Sequence, residues 1–432
     1  MNLPFHIVTS FLLISLSLST FSQNIDSPYE IANWPDFKTA AVSYTFDDGC
    51  SNQFAKAIPI FDEFGYKLTL FIVTDWITNW ELIKSAAAGG HEIANHTVTH
   101  PNLSQLAVDI QETELDSCSA LINDKIDSEV CFTMAYPYCA LANASLCKSR
   151  FIAVRGCQGF IEPKTPGNFM NVSSLICGDQ GPVKTTANFQ TQATNAAKKS
   201  GWLVYLIHGI DNDGGYSPLS SDILKESLQY LKNNEALFWV ADFGTVARYI
   251  KERNSLTVKE TSIQDDLITL TVSDTLKNDI FNIPVTIRRT LPEGWVSINV
   301  IQNGNDVNSS ITEVSGVKYL MFSVIPDSGE VELIKNDITG IIDPLHLNPD
   351  SDKELNVRIK GNSLVFTVPE TAGNNLSVSI YNIQGMLLKK YNSITRENNS
   401  GFVNISDLIC NPGLYIVKLN NPVSSWSDQL IF

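Results

Sequence analysis

Past its N-terminal stretch the chain has no apolar run long enough to cross a bilayer, so no transmembrane segment is expected there. Basic residues are scarce, with 30 Lys and Arg against 46 Asp and Glu and a formal net charge of -16. That balance argues against a nucleic-acid backbone or an anionic membrane as partner and favours neutral or cationic ligands. The 8 Cys lack the paired CxxC spacing of a zinc knuckle, which points to disulfides in an oxidising compartment rather than to a thiolate metal site. Seven of them lie between Cys50 and Cys177, so at least one thiol in that stretch is expected to be free. Histidine is rarer still, at 6 in 432 residues, so the places where it falls carry weight.

The N-terminus reads as a signal peptide over 1–22. An apolar stretch is followed by the small residues Thr20 and Ser22, three and one positions before a cut ahead of Gln23, although the usual basic flank is missing. Export is therefore expected.

From 23 to 254, strand-like apolar runs alternate with helix-like segments. The strands are "AAVSYTFDD", "YKLTLFIVT", "HEIANHT", "FTMAYPY", "FIAVRG", "LVYLIHG" and "ALFWVAD". Helical spacing is clearest at Ile223, Leu224, Leu228 and Leu231. Such alternation predicts an α/β fold with a parallel sheet covered by helices, as a barrel or a barrel with an open seam. Residues 255–338 change texture to short alternating strands with turn signals and predict a small β-sandwich. An Asp- and Pro-rich linker, 339–354, precedes a second all-β module, 355–432. His346 in the linker reads as solvated.

Titratable residues gather at the ends of these strands. Asp47 and Asp48 close the first, His96 and His100 the third, Tyr138 the fourth and His208 the sixth. In a parallel sheet those ends share one face, where such folds place their chemistry. Pro101 makes a helix continuing past His100 unfavourable, so the two imidazoles are expected in a tight turn. Two imidazoles and a carboxylate compose an open catalytic metal site. His91 reads as structural. Trp76, Trp80 and Trp202 are candidate sugar-stacking residues for which core packing is the commoner fate. Asp211 and Asp213 read as part of a loop beside His208 rather than as a calcium loop.

"TFDDG" followed by "NHTVTHPNL", with later "YPY" and "LIH", resembles the motifs of the polysaccharide deacetylases, carbohydrate esterase family four. The resemblance covers roughly residues 38–254. It implies a distorted (β/α)7 barrel and removal of N- or O-acetyl groups from an acetylated polysaccharide or oligosaccharide. Carried onto this sequence, it makes Asp48, His96 and His100 ligands of a divalent metal, by default Zn²⁺ with Co²⁺ or Ni²⁺ as alternatives. Asp47 would be the general base, His208 the general acid, and the turn of Pro137 and Tyr138 would serve the oxyanion and the substrate. The sequence departs from the family twice. The Arg that orients the base is replaced by Ala135, with Arg155 on the next strand as its candidate substitute. The fourth motif is not recognisable, and Asp179 is the candidate for tuning His208.

The C-terminal module, with "LSVSIYNIQGMLLKKY" and "GLYIVKLNN", resembles the sorting domain of the type IX secretion system. That resemblance implies secretion machinery as a partner and a secreted or cell-surface location. The alternative reading is a non-catalytic carbohydrate-binding protein on a deacetylase scaffold, motivated by Ala135 and the missing motif.

Overall fold

The computed structural model describes residues 29–126 and 130–336. Of the C-terminal module it describes 357–360, 363–367, 376–382, 387–392, 394–397, 400–405, 414–420 and 425–431. The expected signal peptide and linker, together with His346 and Cys410, lie outside the described residues.

Nine strands open the chain: β1 (Tyr29–Ile31), β2 (Ala40–Asp47), β3 (Thr69–Ile72), β4 (Glu92–Asn95), β5 (Thr133–Ala135), β6 (Ala153–Arg155), β7 (Leu175–Ile176), β8 (Trp202–Ile207) and β9 (Phe238–Val240). All but β1 form one parallel sheet in the order β6-β5-β4-β3-β2-β8-β7, with β9 also pairing β2. This is the expected distorted barrel, with the seven anticipated strands and one more. The extra strand, β7, is two residues long, too short to show a period of two.

Every residue of β2 is buried, as befits a parallel strand covered on both faces. Its alternate residues serve two cores. Val42, Tyr44 and Phe46 meet the surrounding helices, packing with Phe61, Phe189 and Leu228. Ala41 faces the interior with Phe71, Ala94, Ala135, Ala153 and Val204, and is closed below by Phe243, Val246 and Ile250. The interior positions are mostly small, which leaves room for polar groups at the upper end. Asp47 continues the Ala41, Ser43, Thr45 face and so enters that interior.

The covering helices are α1 (Ile58–Phe64), α2 (Trp80–Ala88), α3 (Val108–Lys125), α4 (Ala144–Arg150), α5 (Thr186–Lys199), α6 (Ser221–Asn233) and α7 (Phe243–Ser255). Helix α5 had no clear signature in sequence. Only Phe189, Ala193 and Ala196 are buried along it, and its start is set by a Thr185–Asn188 capping box.

Eight further strands follow: β10 (Thr257–Ile263), β11 (Leu267–Ser273), β12 (Val285–Thr290), β13 (Ile298–Gln302), β14 (Asn305–Val307), β15 (Ser309–Val314), β16 (Val317–Val324) and β17 (Val331–Lys335). They form two antiparallel sheets, β10-β11-β17-β13-β14 and, with β1 added at one edge, β1-β12-β16-β15. The segment before the barrel thus pairs with the sandwich, Tyr29 opposite Arg289. Buried Tyr29 and Arg289 both hydrogen-bond Glu260 there. The barrel and this sandwich belong to one compact unit, residues up to Glu293 with Asn299–Ile334. The C-terminal module falls in the second unit. Its described strands form two four-stranded antiparallel sheets around Leu364, Val378, Ile380, Val417 and Leu419. No helix among the described residues is long and apolar enough to cross a membrane.

Candidate metal centre

Register brings the predicted residues together. Phe46 pairs Ile207, setting Asp47 and Asp48 beside His208, and Ile72 pairs Asn95, setting the His96–His100 turn on the other side of β2. Past β2 the chain turns sharply through Asp48 (φ 77°) and Gly49 (φ 76°). A left-handed aspartate is uncommon, and here it sends two adjacent carboxylates in different directions.

Asp48 Oδ1 lies 3.6 Å from His96 Nε2 and 3.5 Å from His100 Nε2. The three ligand-type atoms all fall within 4.8 Å of one another. A tetrahedral ion bound at roughly 2.1 Å places its ligand atoms about 3.4 Å apart, which these distances suit. The chemistry of the set agrees. Asp48 Oδ1 is buried and has no hydrogen-bond partner. Burial, then the neighbouring Asp47 carboxylate, push the Asp48 pKa up to about 7 against the opposing pull of Arg155. This carboxylate lacks a counter-charge that a cation would supply. Burial holds the His96 pKa down to about 3, keeping its imidazole a neutral donor. Its Nδ1 is 2.9 Å from the Ala135 carbonyl, which can only accept, so Nδ1 carries the proton and Nε2 presents its lone pair to the site.

The turn carrying the histidines is held from below. The Glu114 carboxylate on α3 accepts from the Val98 and Thr99 N–H groups and the Thr99 hydroxyl, at 2.7–2.9 Å. Asn95 anchors the strand end to the Leu115 carbonyl and Ser119, and Thr97 Oγ1 accepts from His100 N–H. Glu114 was not singled out in the sequence. A carboxylate 15 to 16 residues further along the chain leaves no local pattern to find.

Asp47 has a different environment. It is 2 % exposed, and its Oδ2 accepts from Arg155 Nη2 at 2.5 Å. Burial alone would raise its pKa, but Arg155, His96 and His208 outweigh burial and hold the carboxyl below its ordinary value. Its other oxygen, Oδ1, is buried without a partner. His208 Nε2 is 3.9 Å from Asp47 Oδ2, and Gln53 Nε2 ties the two strand ends together by donating to the Asp47 and His208 carbonyls at 2.6 and 2.9 Å. Burial lowers the His208 pKa, with Asp47 opposing.

Arg155 reaches this position because it is the register partner of Ala135 on the adjacent strand. The guanidinium that meets Asp47 thus comes from the strand beside Ala135 and passes above the Phe71 ring.

Tyr138 is 68 % exposed, with its ring centroid 4.5 Å from that of His100. Tyr138 and Cys139 are both left-handed, with φ of 55° and 57°, and adjoining Pro137 is buried. Cys139 is disulfide-bonded to Cys157, while Cys50, Cys118, Cys147 and Cys177 are free thiols among the described residues. Trp76 is half exposed against His100, Tyr216 lies against His208, Trp80 packs on the outer core, and Trp202 is fully buried. His91 is structural, accepting from Leu68 N–H and facing Asp62. Asp213 and Asp211 do brace the loop after His208, through Asn52 and Lys56.

Asp179 corrects the sequence reading. It is exposed in the turn after β7, and His208 Nδ1 has no hydrogen-bond partner. The charged groups that act on His208 are Asp47, Arg155 and His100, so Asp179 does not tune it.

Residues 35–153 match the family model described as polysaccharide deacetylase, and 348–432 match the secretion system C-terminal sorting domain. Over residues 35–153 the N-terminal module is similar to the polysaccharide deacetylases. Relatives of this chain include a gellan lyase from Bacillus sp., 28% identical over 71% of this chain and 13% of that protein. They also include a chitooligosaccharide deacetylase from Bradyrhizobium sp. (strain ANU 289), 29% identical over 32% of this chain and 65% of that protein. The chain therefore spans less than two thirds of either. A solved structure of a polysaccharide deacetylase homologue from Mycobacterium smegmatis aligns at 20% identity over 51% of this chain and 93% of that one, with a TM-score of 0.40. The sorting domain marks the deacetylase domain for secretion or cell-surface export.

Proposed function

We propose that the barrel, 23–254, is a metal-dependent deacetylase that hydrolyses N- or O-acetyl groups of an acetylated polysaccharide or oligosaccharide. The carrying observation is the division between two consecutive carboxylates, Asp48 facing two imidazoles and Asp47 held by Arg155. A divalent ion held by Asp48, His96 and His100, with Zn²⁺ the first choice and Co²⁺ or Ni²⁺ suited to the same donors, would polarise the acetyl carbonyl and acidify the attacking water.

The chain's own residues do the rest. Asp47, kept ionised and oriented by Arg155, takes the water's proton on its unpartnered Oδ1. The N–H at the Pro137–Tyr138 turn donates to the carbonyl oxygen as negative charge gathers there. His208, whose Nε2 lies 3.9 Å from Asp47 Oδ2, gives a proton to the departing nitrogen or oxygen. The exposed Trp76, Tyr138 and Tyr216 rings offer apolar faces to sugars around the centre.

The protein is proposed to leave the cell by way of the 1–22 signal peptide and to engage the type IX machinery through 355–432, with 255–338 a β-sandwich and 339–354 a linker. Acetate release across a panel of acetylated glycans, with added divalent metal, tests the activity. Absence of release from every member would remove the reading.

A further inference from the structure

The Cys139–Cys157 disulfide joins the two loops on which the proposed chemistry depends. Cys139 follows Tyr138 directly, and Cys157 lies two residues beyond Arg155. The two sides are anchored unequally. After β6 the chain is fixed to its neighbours, with Gly156 N–H donating to the Val172 carbonyl at 2.7 Å and the Gly156 carbonyl accepting from Ser174 Oγ at 2.6 Å. After β5, the hydrogen bonds of 137–141 stay within the turn, Cys139 N–H to the Tyr136 carbonyl and Ala140 N–H to that of Pro137. What ties this turn outward is the disulfide and the Tyr138 ring on His100.

The turn also has an intrinsic reason to relax. Tyr138 and Cys139 are consecutive non-glycine residues with positive φ, a conformation side chains oppose unless the surroundings impose it. We propose that the disulfide is a positioning clamp, holding the strained Tyr138 turn over His100 and beside Arg155, so that the site is complete only in the oxidised protein. The bond is placed to respond to solvent, since Cys139 is exposed and Cys157 half-buried, whereas Cys118, Cys131, Cys147 and Cys177 are buried. Its formation takes two electrons and two protons from the thiols, received by a disulfide oxidant of the compartment the protein is exported to. The inference rests on the proposed activity, so its test carries a second readout.

The full chain, metal-loaded, is compared before and after reduction with a phosphine, which with one water cleaves the S–S bond to two thiols and becomes the phosphine oxide. The Cys139→Ser/Cys157→Ser variant serves as control, and all assays run well below the unfolding temperature. The expected result is a kcat at least ten-fold lower on reduction, regained on reoxidation, with a smaller change in KM. The double variant should match the reduced protein and ignore the phosphine. Amide hydrogen exchange should quicken at 137–141 and stay unchanged in β2 and β4. A folded, reduced protein with kcat within two-fold of the oxidised one overturns the clamp, because a merely structural bond would lower only the melting temperature. If the oxidised protein releases no acetate, the activity reading fails and exchange decides alone. Faster exchange at 137–141 then upholds the clamp, and unchanged exchange overturns it.

Discussion

Arg155 donates to Asp47 from the strand beside the one that carries Ala135, its register partner. The pair is buried on both sides, at 1 % and 2 % exposure, so removing either partner strands a charge in a dry interior. Arg155→Met is expected to lower kcat by about 10²-fold and to lower the melting temperature. Adding Ala135→Arg to Arg155→Met restores at least ten-fold of the lost rate, measured as acetate release. No restoration would mean that the two positions are not equivalent sources of the guanidinium.

The ligand set predicts a separation between metal binding and turnover. Asp48→Asn, His96→Ala and His100→Ala each lower divalent-ion affinity by two orders of magnitude or more, read by calorimetry. Glu114→Ala, which touches no ligand but frees the turn bearing them, costs about 10- to 100-fold in affinity. Metal removal by a chelator abolishes acetate release, and re-addition restores it.

His208 is proposed to protonate the leaving group, so its importance should follow how much that group needs a proton. His208→Ala is expected to slow release from an N-acetyl sugar by 10²- to 10³-fold. With a nitrophenyl acetate, whose leaving group departs as an anion, the loss should stay under ten-fold. Equal losses on both substrates would assign His208 to binding instead.

Much of this was legible in the residues. The strand ends showed because buried parallel strands are continuous apolar runs, and the polar residues that interrupt them stand out at Asp47, His96 and His208. What sequence could not show is set by register and reach. Arg155 stands out only once β5 and β6 are paired, and Glu114 and Gln53 act through hydrogen bonds to turns that bear no local mark of the contact. Strand β7 and the sparsely apolar α5 carry too few periodic positions to announce themselves. Asp179 failed for a related reason, since adjacency in the chain to a strand end says nothing about which way a turn leaves the sheet.

The other end of the sheet yields a stability prediction. Glu92 is buried and accepts from the Thr69 and Thr133 hydroxyls and from Gly244 N–H at the start of α7. Burial, then Asp242, raise its pKa to about 8. A carboxyl raised on folding binds its proton more tightly in the native state. Its contribution is therefore fully present below the unfolded-state value near 4.5 and is lost as the pH climbs towards 8. The melting temperature of the wild type should fall over pH 5 to 8 more steeply than that of Glu92→Gln, compared by calorimetry in the same buffers. Parallel slopes would remove Glu92 as the cause.

Two neighbouring carboxylates are proposed to do different work, and one paired measurement tests this directly. Wild type and Asp47→Asn are loaded with Zn²⁺ and assayed for bound metal and for acetate release from the same acetylated glycan. About one ion per chain is expected in both proteins, with a loss of at least 10³-fold in release for the variant. Loss of the ion together with the activity, or release that survives the substitution, would contradict it.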